Sequence, residues 1–104
     1  MTIEVIELNK LREIIAGGGT VVVDFWAPWC GPCRMLSTVV EDFARTTQDV
    51  TVVKVNVDDA KEVAAAYDIQ TLPTLVVFKD GKDVVSKSGF MSKAALINLV
   101  ESNK

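Results

Sequence analysis

Five short segments of the chain carry the alternating or unbroken apolar patterns that predict β-strands. They are residues 3–6, 21–26, 51–57, 74–79 and 83–88. Segment 21–26 (VVVDFW) is almost entirely branched or aromatic, which is typical of a strand covered on both faces in a parallel sheet. Asp80 and Gly81 join the last two segments and form a strong hairpin signal, so the final strand is predicted to return antiparallel at the sheet edge.

Between the strands, apolar residues spaced by three and four predict amphipathic helices. The first helix has Asn9 as its candidate cap and ends at glycines 17–19. The second begins at Pro32 and continues to about Thr46. Its inner face is predicted to consist of Cys33, Leu36, Val40, Phe43 and Ala44.

Two further helices complete the pattern. Asp58 or Asp59 is a candidate cap for a short third helix that extends through Tyr67. Ser92 is the candidate cap of the last helix. The inner face of that helix is predicted to consist of Leu96, Leu99 and Val100.

The order of these elements is βαβαβαββα. Strands that alternate with helices form parallel βαβ units, and the closing hairpin adds antiparallel pairing. The pattern therefore predicts an α/β sandwich with a mixed sheet. No linker, repeat or low-complexity tract interrupts it, so residues 1–104 are predicted to form one domain.

Composition limits the classes of function. The chain has 104 residues, 49% of them hydrophobic and 24% charged, which suits one globular core. Its net charge is -3 and its basic residues are scattered, so no nucleic-acid surface is predicted. No apolar run approaches the roughly 20 residues of a membrane helix, and the N-terminus lacks the regions of a secretory signal. We therefore expect a cytoplasmic protein that binds neither nucleic acid nor membrane.

The chain has no histidine and only two cysteines, Cys30 and Cys33. Zinc sites need four ligands and Cys-His nucleophiles need a histidine, so this composition argues against both. A structural disulfide or a pair of ordinary buried thiols remains the alternative to a redox pair. A C-x-x-C motif where a buried strand meets a helix favours redox use.

The placement of the two cysteines suggests different roles for them. Cys30 is predicted at the helix start, where free N–H groups and the macrodipole stabilise a thiolate and lower its pKa. Cys33 lies one turn further and is expected to be more buried. Cys30 is therefore predicted to attack a substrate disulfide, and Cys33 to resolve the mixed disulfide. Pro32 suits the first helical turn, Gly31 leaves the approach open, and Trp29 offers an apolar surface beside the nucleophile.

Three motifs resemble the thioredoxin family: residues 23–33 (VDFWAPWCGPC), 71–74 (TLPT) and 78–81 (FKDG). Their order and spacing also resemble the family pattern, and the resemblance covers essentially the whole chain. It implies the thioredoxin fold, a three-layer α/β/α sandwich with a central mixed sheet of five strands and four helices. It also implies reduction of disulfide-containing protein substrates without a bound cofactor, with electrons from NADPH delivered by thioredoxin reductase.

The motif also bears on redox direction and assembly. The Gly31-Pro32 dipeptide resembles the reducing members of the superfamily, whereas oxidising and isomerising relatives usually carry a histidine there. The chain lacks the extra cysteines that some thioredoxins use for regulation. We therefore expect a monomer with no sensing thiol.

Asp24 is a carboxylate within an apolar strand. Burial disfavours its charged form and raises its pKa, which makes it a candidate acid–base group. The resemblance implies that Asp24 relays a proton to and from Cys33, with Lys54 on the neighbouring strand modulating it. The alternative is an aspartate at a strand end that local hydrogen bonds satisfy.

The resemblance also implies a substrate-binding face. It places Pro73 in a cis peptide bond facing the cysteines, so that backbone near Leu72 pairs with an extended substrate segment. Gly89 resembles the family glycine that borders the groove. The remaining members of the predicted substrate-binding set are Trp29, Gly31 and Pro32. Trp26 is expected to pack beneath the active-site loop.

Two positions depart from the family pattern. Thr38 stands where thioredoxins usually have a proline that kinks the long helix, so the helix is expected either to run straighter or to bend through a hydroxyl bond. Phe90 stands where relatives commonly have a small residue. A core position is the favoured interpretation for Phe90, with a place on the apolar docking surface as the alternative.

Three rival functions remain at this point. The first is a non-catalytic binding module that docks partners through the same surface. The second is a disulfide oxidase or isomerase. The third is a metal or iron–sulfur carrier that bridges two chains.

Overall fold

The computed structural model describes residues 1–104, arranged as five strands and four helices. The strands are β1 (Thr2–Glu4), β2 (Thr20–Trp26), β3 (Val50–Asn56), β4 (Thr74–Lys79) and β5 (Lys82–Ser88). The helices are α1 (Leu8–Ala16), α2 (Gly31–Thr46), α3 (Lys61–Ala66) and α4 (Lys93–Glu101). The predicted order βαβαβαββα is confirmed.

The strands form one mixed sheet in the order β1-β3-β2-β4-β5. Strands β1, β3 and β2 are parallel, β4 is antiparallel to β2, and β5 is antiparallel to β4. The β4–β5 turn has positive φ angles at Asp80 (50°) and Gly81 (89°), as the predicted hairpin requires. The central position of β2 explains its apolar sequence, because helices cover both of its faces.

Alternate residues of the central strands enter two separate cores. Val21, Val23 and Phe25 pack on the side of α1 and α3. Val22 packs on the opposite side, against residues of α2 and α4. Since strand side chains alternate between faces, Asp24 points to the α2–α4 side together with Val22. The layers are therefore α/β/α, as expected.

The ends of several elements differ from the predictions. Strand β1 ends at Glu4, and Ile6, which was predicted to be within it, is exposed. Helix α1 begins at Leu8 after Glu7, so Asn9 is not its cap. Helix α3 begins after Ala60, so neither Asp58 nor Asp59 caps it. Of these three polar side chains, Asp58 instead accepts a hydrogen bond from the Trp29 indole N–H.

The other cap prediction is confirmed, and so is the glycine turn. The Ser92 hydroxyl accepts a hydrogen bond from the Ala95 N–H at 3.1 Å at the start of α4. Helix α1 ends at Ala16 with Gly17 as its C-cap, and Gly18 and Gly19 follow with positive φ angles. None of the helices is long and apolar enough to cross a membrane.

Candidate active site

Cys30 and Cys33 form a disulfide at the start of α2. Cys30 is the N-cap residue of that helix, and the two Cα atoms are 5.2 Å apart. The Cys33 N–H donates a hydrogen bond to the Cys30 sulfur, at a donor–acceptor distance of 3.2 Å. An N–H group at a helix terminus therefore points at the sulfur that was predicted to carry negative charge.

The two sulfurs differ in surroundings as well as in position. Cys30 is 7% exposed and Cys33 is 1% exposed, so the expected asymmetry in burial is present. Cys30 opens onto a mostly apolar groove, whereas Cys33 lines a charged cleft on another side of the helix. We refer to these as the Cys30 groove and the Cys33 cleft.

The Cys30 groove contains two of the predicted substrate-binding residues, Trp29 and Leu72. Its wall consists of Trp29, Cys30, Val57, Lys61, Ala64, Ile69, Gln70 and Leu72. Trp29 is 68% exposed, and its indole N–H donates to the Asp58 carboxylate at 3.1 Å. Asp58 therefore accepts a hydrogen bond from Trp29 and does not cap α3.

The loop before β4 completes this side of the site. The Leu72–Pro73 peptide bond is cis, as the resemblance implied. The Gly89 N–H donates to the Pro73 carbonyl at 2.9 Å, which places Gly89 beside the proline. A side chain built on Gly31 would meet nothing within 4 Å, so the space next to the disulfide is open there.

Phe90 corrects an expectation. It was favoured as a core residue, but it is 49% exposed and belongs to none of the buried clusters. Gly89 has a φ of 93°, a conformation that side chains rarely adopt, and the chain turns there before Phe90. Phe90 lines a shallow cavity with Met91 and Leu99.

The Cys33 cleft has a volume of about 590 Å³ and is lined largely by polar and charged side chains. Its members are Trp26, Cys33, Arg34, Ser37, Thr38, Val39, Glu41, Asp42, Arg45, Lys54 and Lys93. Trp26 also packs against the two cysteines, as predicted. Helix α2 continues without interruption through Thr38, so the missing proline leaves the helix unbroken.

Asp24 is fully buried on β2, and neither of its carboxylate oxygens has a hydrogen-bond partner. The alternative of an aspartate satisfied by local hydrogen bonds is therefore wrong. Burial raises the pKa of Asp24 from 3.8 to about 7, while the nearby Lys54 charge opposes the rise and the Glu4 and Glu41 charges add to it. The group can therefore change its protonation near neutral pH.

Lys54 is the residue on β3 that pairs in register with Asp24, and it is 6% exposed. Its ammonium donates to the Ser37 hydroxyl at 2.6 Å and to the Glu41 carboxylate at 3.3 Å. The ammonium also lies 5.3 Å from the centre of the Trp26 ring. Sequence reasoning missed Ser37 and Glu41, although their i, i+4 spacing from Cys33 along α2 places all three on one helix face.

No group of three or more cysteine, aspartate or glutamate side chains is arranged to hold a metal ion. The reactive groups at this site are the two cysteine sulfurs, the buried Asp24 carboxyl group and the buried Lys54 ammonium group.

The chain matches the family model described as Thioredoxin over residues 2–102. It belongs to the thioredoxin family. A thioredoxin of Mycoplasma genitalium is 46% identical over 99 residues, covering 95% of this chain and 97% of that protein. The X-ray structure of Fasciola hepatica thioredoxin superposes with a TM-score of 0.92 at 36% identity, covering 98% of this chain and 99% of that one.

A second solved structure is that of an oxidised thioredoxin. Oxidised mitochondrial thioredoxin 3 of Saccharomyces cerevisiae matches with a TM-score of 0.89 at 29% identity, covering 97% of this chain and 94% of that one. The predicted family, thioredoxin fold and redox-active cysteine pair are thus confirmed. This chain is a thiol–disulfide oxidoreductase whose Cys30 and Cys33 sit at disulfide distance.

Proposed function

We propose that this thioredoxin reduces disulfides in other proteins, with Cys30 as the nucleophile and Cys33 as the resolving thiol. The observation that carries the division of roles is the position of Cys30. It caps α2, accepts the Cys33 N–H, and borders an open apolar groove, whereas Cys33 is buried one turn further in. A helix N-terminus stabilises the thiolate of the first sulfur.

The reaction proceeds in two exchanges. The Cys30 thiolate attacks one sulfur of the substrate disulfide, the substrate S–S bond breaks, and the departing thiolate takes up a proton. Cys33 then loses its proton, attacks the Cys30 sulfur, and displaces the second substrate thiolate, which is protonated in turn. Two electrons pass to the substrate, and the Cys30–Cys33 disulfide remains on the enzyme.

Asp24 accepts the proton that Cys33 loses in the second exchange. Three features support this role: the carboxyl group is buried on the face that α2 covers, it has no competing hydrogen-bond partner, and its pKa of about 7 lies near neutral pH. Lys54 modulates the group through its positive charge, which favours the carboxylate.

An extended substrate segment lies across the Cys30 groove. Trp29 and Leu72 supply apolar contact, and Gly31 leaves room for the attacking geometry. Pro32, Pro73 and Gly89 complete the docking face around them. The apolar lining of the groove supports this assignment, because strand-like segments are held by backbone hydrogen bonds and side-chain pockets together.

The partners follow from the family. An NADPH-dependent thioredoxin reductase recharges the disulfide, so no cofactor is bound to this chain. Residues 1–104 act as one domain and as a monomer in the cytoplasm, without nucleic-acid or membrane binding. The single sheet supports the assignment to one domain, because every strand is hydrogen-bonded into it.

The test is to trap the intermediate. Cys33→Ser leaves the attacking thiol and removes the resolving one, so a mixed disulfide with insulin should accumulate at Cys30 and be visible by mass spectrometry. Wild-type protein should accelerate insulin reduction by dithiothreitol, and the variant should not. A Cys33→Ser protein that forms no adduct while still binding partners would instead support the binding-module alternative.

A further inference from the structure

Asp24 and Lys54 occupy paired positions on neighbouring strands, yet they do not contact each other. Both are buried, and parallel pairing in register places their side chains on the same face of the sheet. No ion pair joins them, and both Asp24 oxygens lack any partner. A buried carboxyl group beside a buried ammonium group would ordinarily form a direct ion pair.

Helix α2 supplies the alternative partners for the ammonium. Ser37 accepts from it at 2.6 Å, and Glu41 accepts at 3.3 Å. Ser37 is half-buried and lies four residues after Cys33, on the helix that carries the resolving thiol. The hydrogen-bond partners of the Lys54 ammonium therefore both lie on α2.

Glu41 is itself held in place by β1. The Thr2 hydroxyl lies 3.3 Å from one Glu41 carboxylate oxygen and 3.4 Å from the other. This leaves Lys54 with two acceptors on α2, of which Glu41 also contacts β1, and Ser37 provides the shorter of the two contacts.

We propose that Ser37, together with Glu41, is a positioning residue that tethers the Lys54 ammonium to α2 and prevents it from pairing with the Asp24 carboxyl group. The tether keeps Lys54 close enough to influence Asp24 through space but not to lock it as a carboxylate. This inference rests on the proposed role of Asp24 as the proton acceptor for Cys33, and it adds the device that keeps that acceptor available.

The charges around Asp24 give the direction of the effect. Lys54 on β3 favours the carboxylate, whereas Glu4 on β1 and Glu41 on α2 disfavour it. The other charged groups that line the Cys33 cleft are Arg34, Asp42, Arg45 and Lys93. Cys33 itself is uncharged in the disulfide. If Lys54 moved onto Asp24, its attraction would increase and the pKa of Asp24 would fall.

Ser37→Ala is the decisive variant, because it removes an acceptor without changing any charge. The ammonium then keeps only the longer contact to Glu41 and has a donor free, and the unpartnered oxygens of Asp24 lie on the same face of the sheet. Alanine favours a helix more than serine does, so the fold is retained. In the oxidised protein, the midpoint of the Asp24 carboxyl titration, followed by carbon-13 NMR, should fall by about 1 pH unit.

Three further proteins control the measurement. Thr38→Ala removes a neighbouring hydroxyl that does not contact Lys54, and the Asp24 midpoint should stay within about 0.2 pH unit of the wild-type value. Ser37→Thr retains a hydroxyl and should restore most of the wild-type midpoint. In a Lys54→Met background, Ser37→Ala should have no effect, since the tethered group is gone.

An Asp24 midpoint that stays unchanged or rises in Ser37→Ala overturns the tether, as does an equal fall in the Lys54→Met background. These outcomes do not depend on catalysis. If the midpoint falls but insulin reduction keeps its wild-type pH profile, the tether holds and it is the proposed proton-accepting role of Asp24 that fails.

Discussion

The two sulfurs of one disulfide open onto surroundings of opposite character. The groove beside Cys30 is lined by mostly apolar side chains, with Trp29 the most prominent. The cleft beside Cys33 is lined by charged groups and includes the buried Lys54, whose register partner on β2 is the buried Asp24. A single turn of α2 separates the two environments.

The contrast shows how one helix terminus serves two different steps. The first exchange requires a docked substrate segment and a thiolate within its reach. The apolar groove provides the docking surface, and the helix N-terminus stabilises the thiolate. The second exchange happens inside the protein and requires a proton to leave a buried thiol. A carboxyl group with a raised pKa serves that step.

The largest expected difference is between the two single-cysteine variants. Cys33→Ser keeps the sulfur at the helix terminus that borders the groove, and Cys30→Ser keeps only the sulfur one turn further in. Mixed-disulfide formation with a small aromatic disulfide should be slower in Cys30→Ser by about 100-fold or more, because thiolate fraction and access both fall. Release of the coloured thiol measures the rate.

The control for these variants is the rate after unfolding in urea, where the two single thiols should react at similar rates. Comparable rates in the folded proteins would contradict the division into an attacking and a resolving sulfur.

The second difference concerns the Asp24 carboxyl group. Asp24→Asn removes the proton acceptor from the Cys33 side, so insulin reduction at pH 7 should slow by about tenfold or more. Formation of the Cys30 mixed disulfide should be unchanged, because that step takes place in the groove. Stopped-flow measurement of the two exchanges separates them.

The same variant tests the cost of burying this group. The pKa of Asp24 in the folded protein is about 7, against 3.8 for an unperturbed aspartate, so folding favours its protonated form. The stabilisation is complete below pH 3.8 and is lost as the pH rises through 7, which amounts to about 4 kcal/mol. The stability advantage of Asp24→Asn over wild type should therefore grow by about that amount between pH 4 and pH 8.

Urea unfolding at the two pH values measures this change. Asp83→Asn, at an exposed aspartate of β5, provides the matched control and should show no such growth. An advantage of Asp24→Asn that is equal at both pH values would contradict the raised pKa.

The third prediction addresses the apolar side. Trp29→Ala removes an exposed ring from the Cys30 groove, and the KM for insulin should rise about fivefold, the equivalent of about 1 kcal/mol of docking energy. Reduction of a small aromatic disulfide should change less. Met35→Ala is the control, because Met35 is a similarly exposed apolar residue on α2 outside the groove. An equal effect of the two substitutions would mean that the groove is not the docking surface.

The order and type of the elements could be predicted from the sequence because periods of two and of three to four residues alternate cleanly along the chain. The caps of α1 and α3 could not. Asn9 lies inside the first helix, and Asp58 accepts the Trp29 indole N–H instead of capping α3. A capping rule considers only neighbours in sequence, so it could not anticipate the contact of Asp58 with a residue distant in the chain.

The candidate site, like the fold, could be predicted from the sequence only in part. The positions of Cys30 and Cys33 follow from a local motif, and the burial of Asp24 follows from the apolar run around it. The contacts of Lys54 with Ser37 and Glu41 depend on how α2 lies across β3, which no spacing along one element reveals. The two partners of Lys54 on α2 were therefore not predictable from the sequence.

The smallest expected effect is at Phe90, the residue whose surroundings the sequence left open. It is half-exposed and outside the groove, so Phe90→Ala should change the KM for insulin less than about twofold. Its effect on the free energy of unfolding should stay below about 1 kcal/mol, whereas Phe43→Ala at a buried position of α2 should cost about 3–5 kcal/mol.

The two phenylalanine variants sharpen the comparison of the two sides because they separate docking from packing. A rise in KM of fivefold for Phe90→Ala, with stability unchanged, would mean that the docking surface extends past Gly89 toward α4. The groove beside Cys30 would then be only one part of the area that a protein substrate covers. A loss of stability as large as that of Phe43→Ala would return Phe90 to the core and contradict its exposed position.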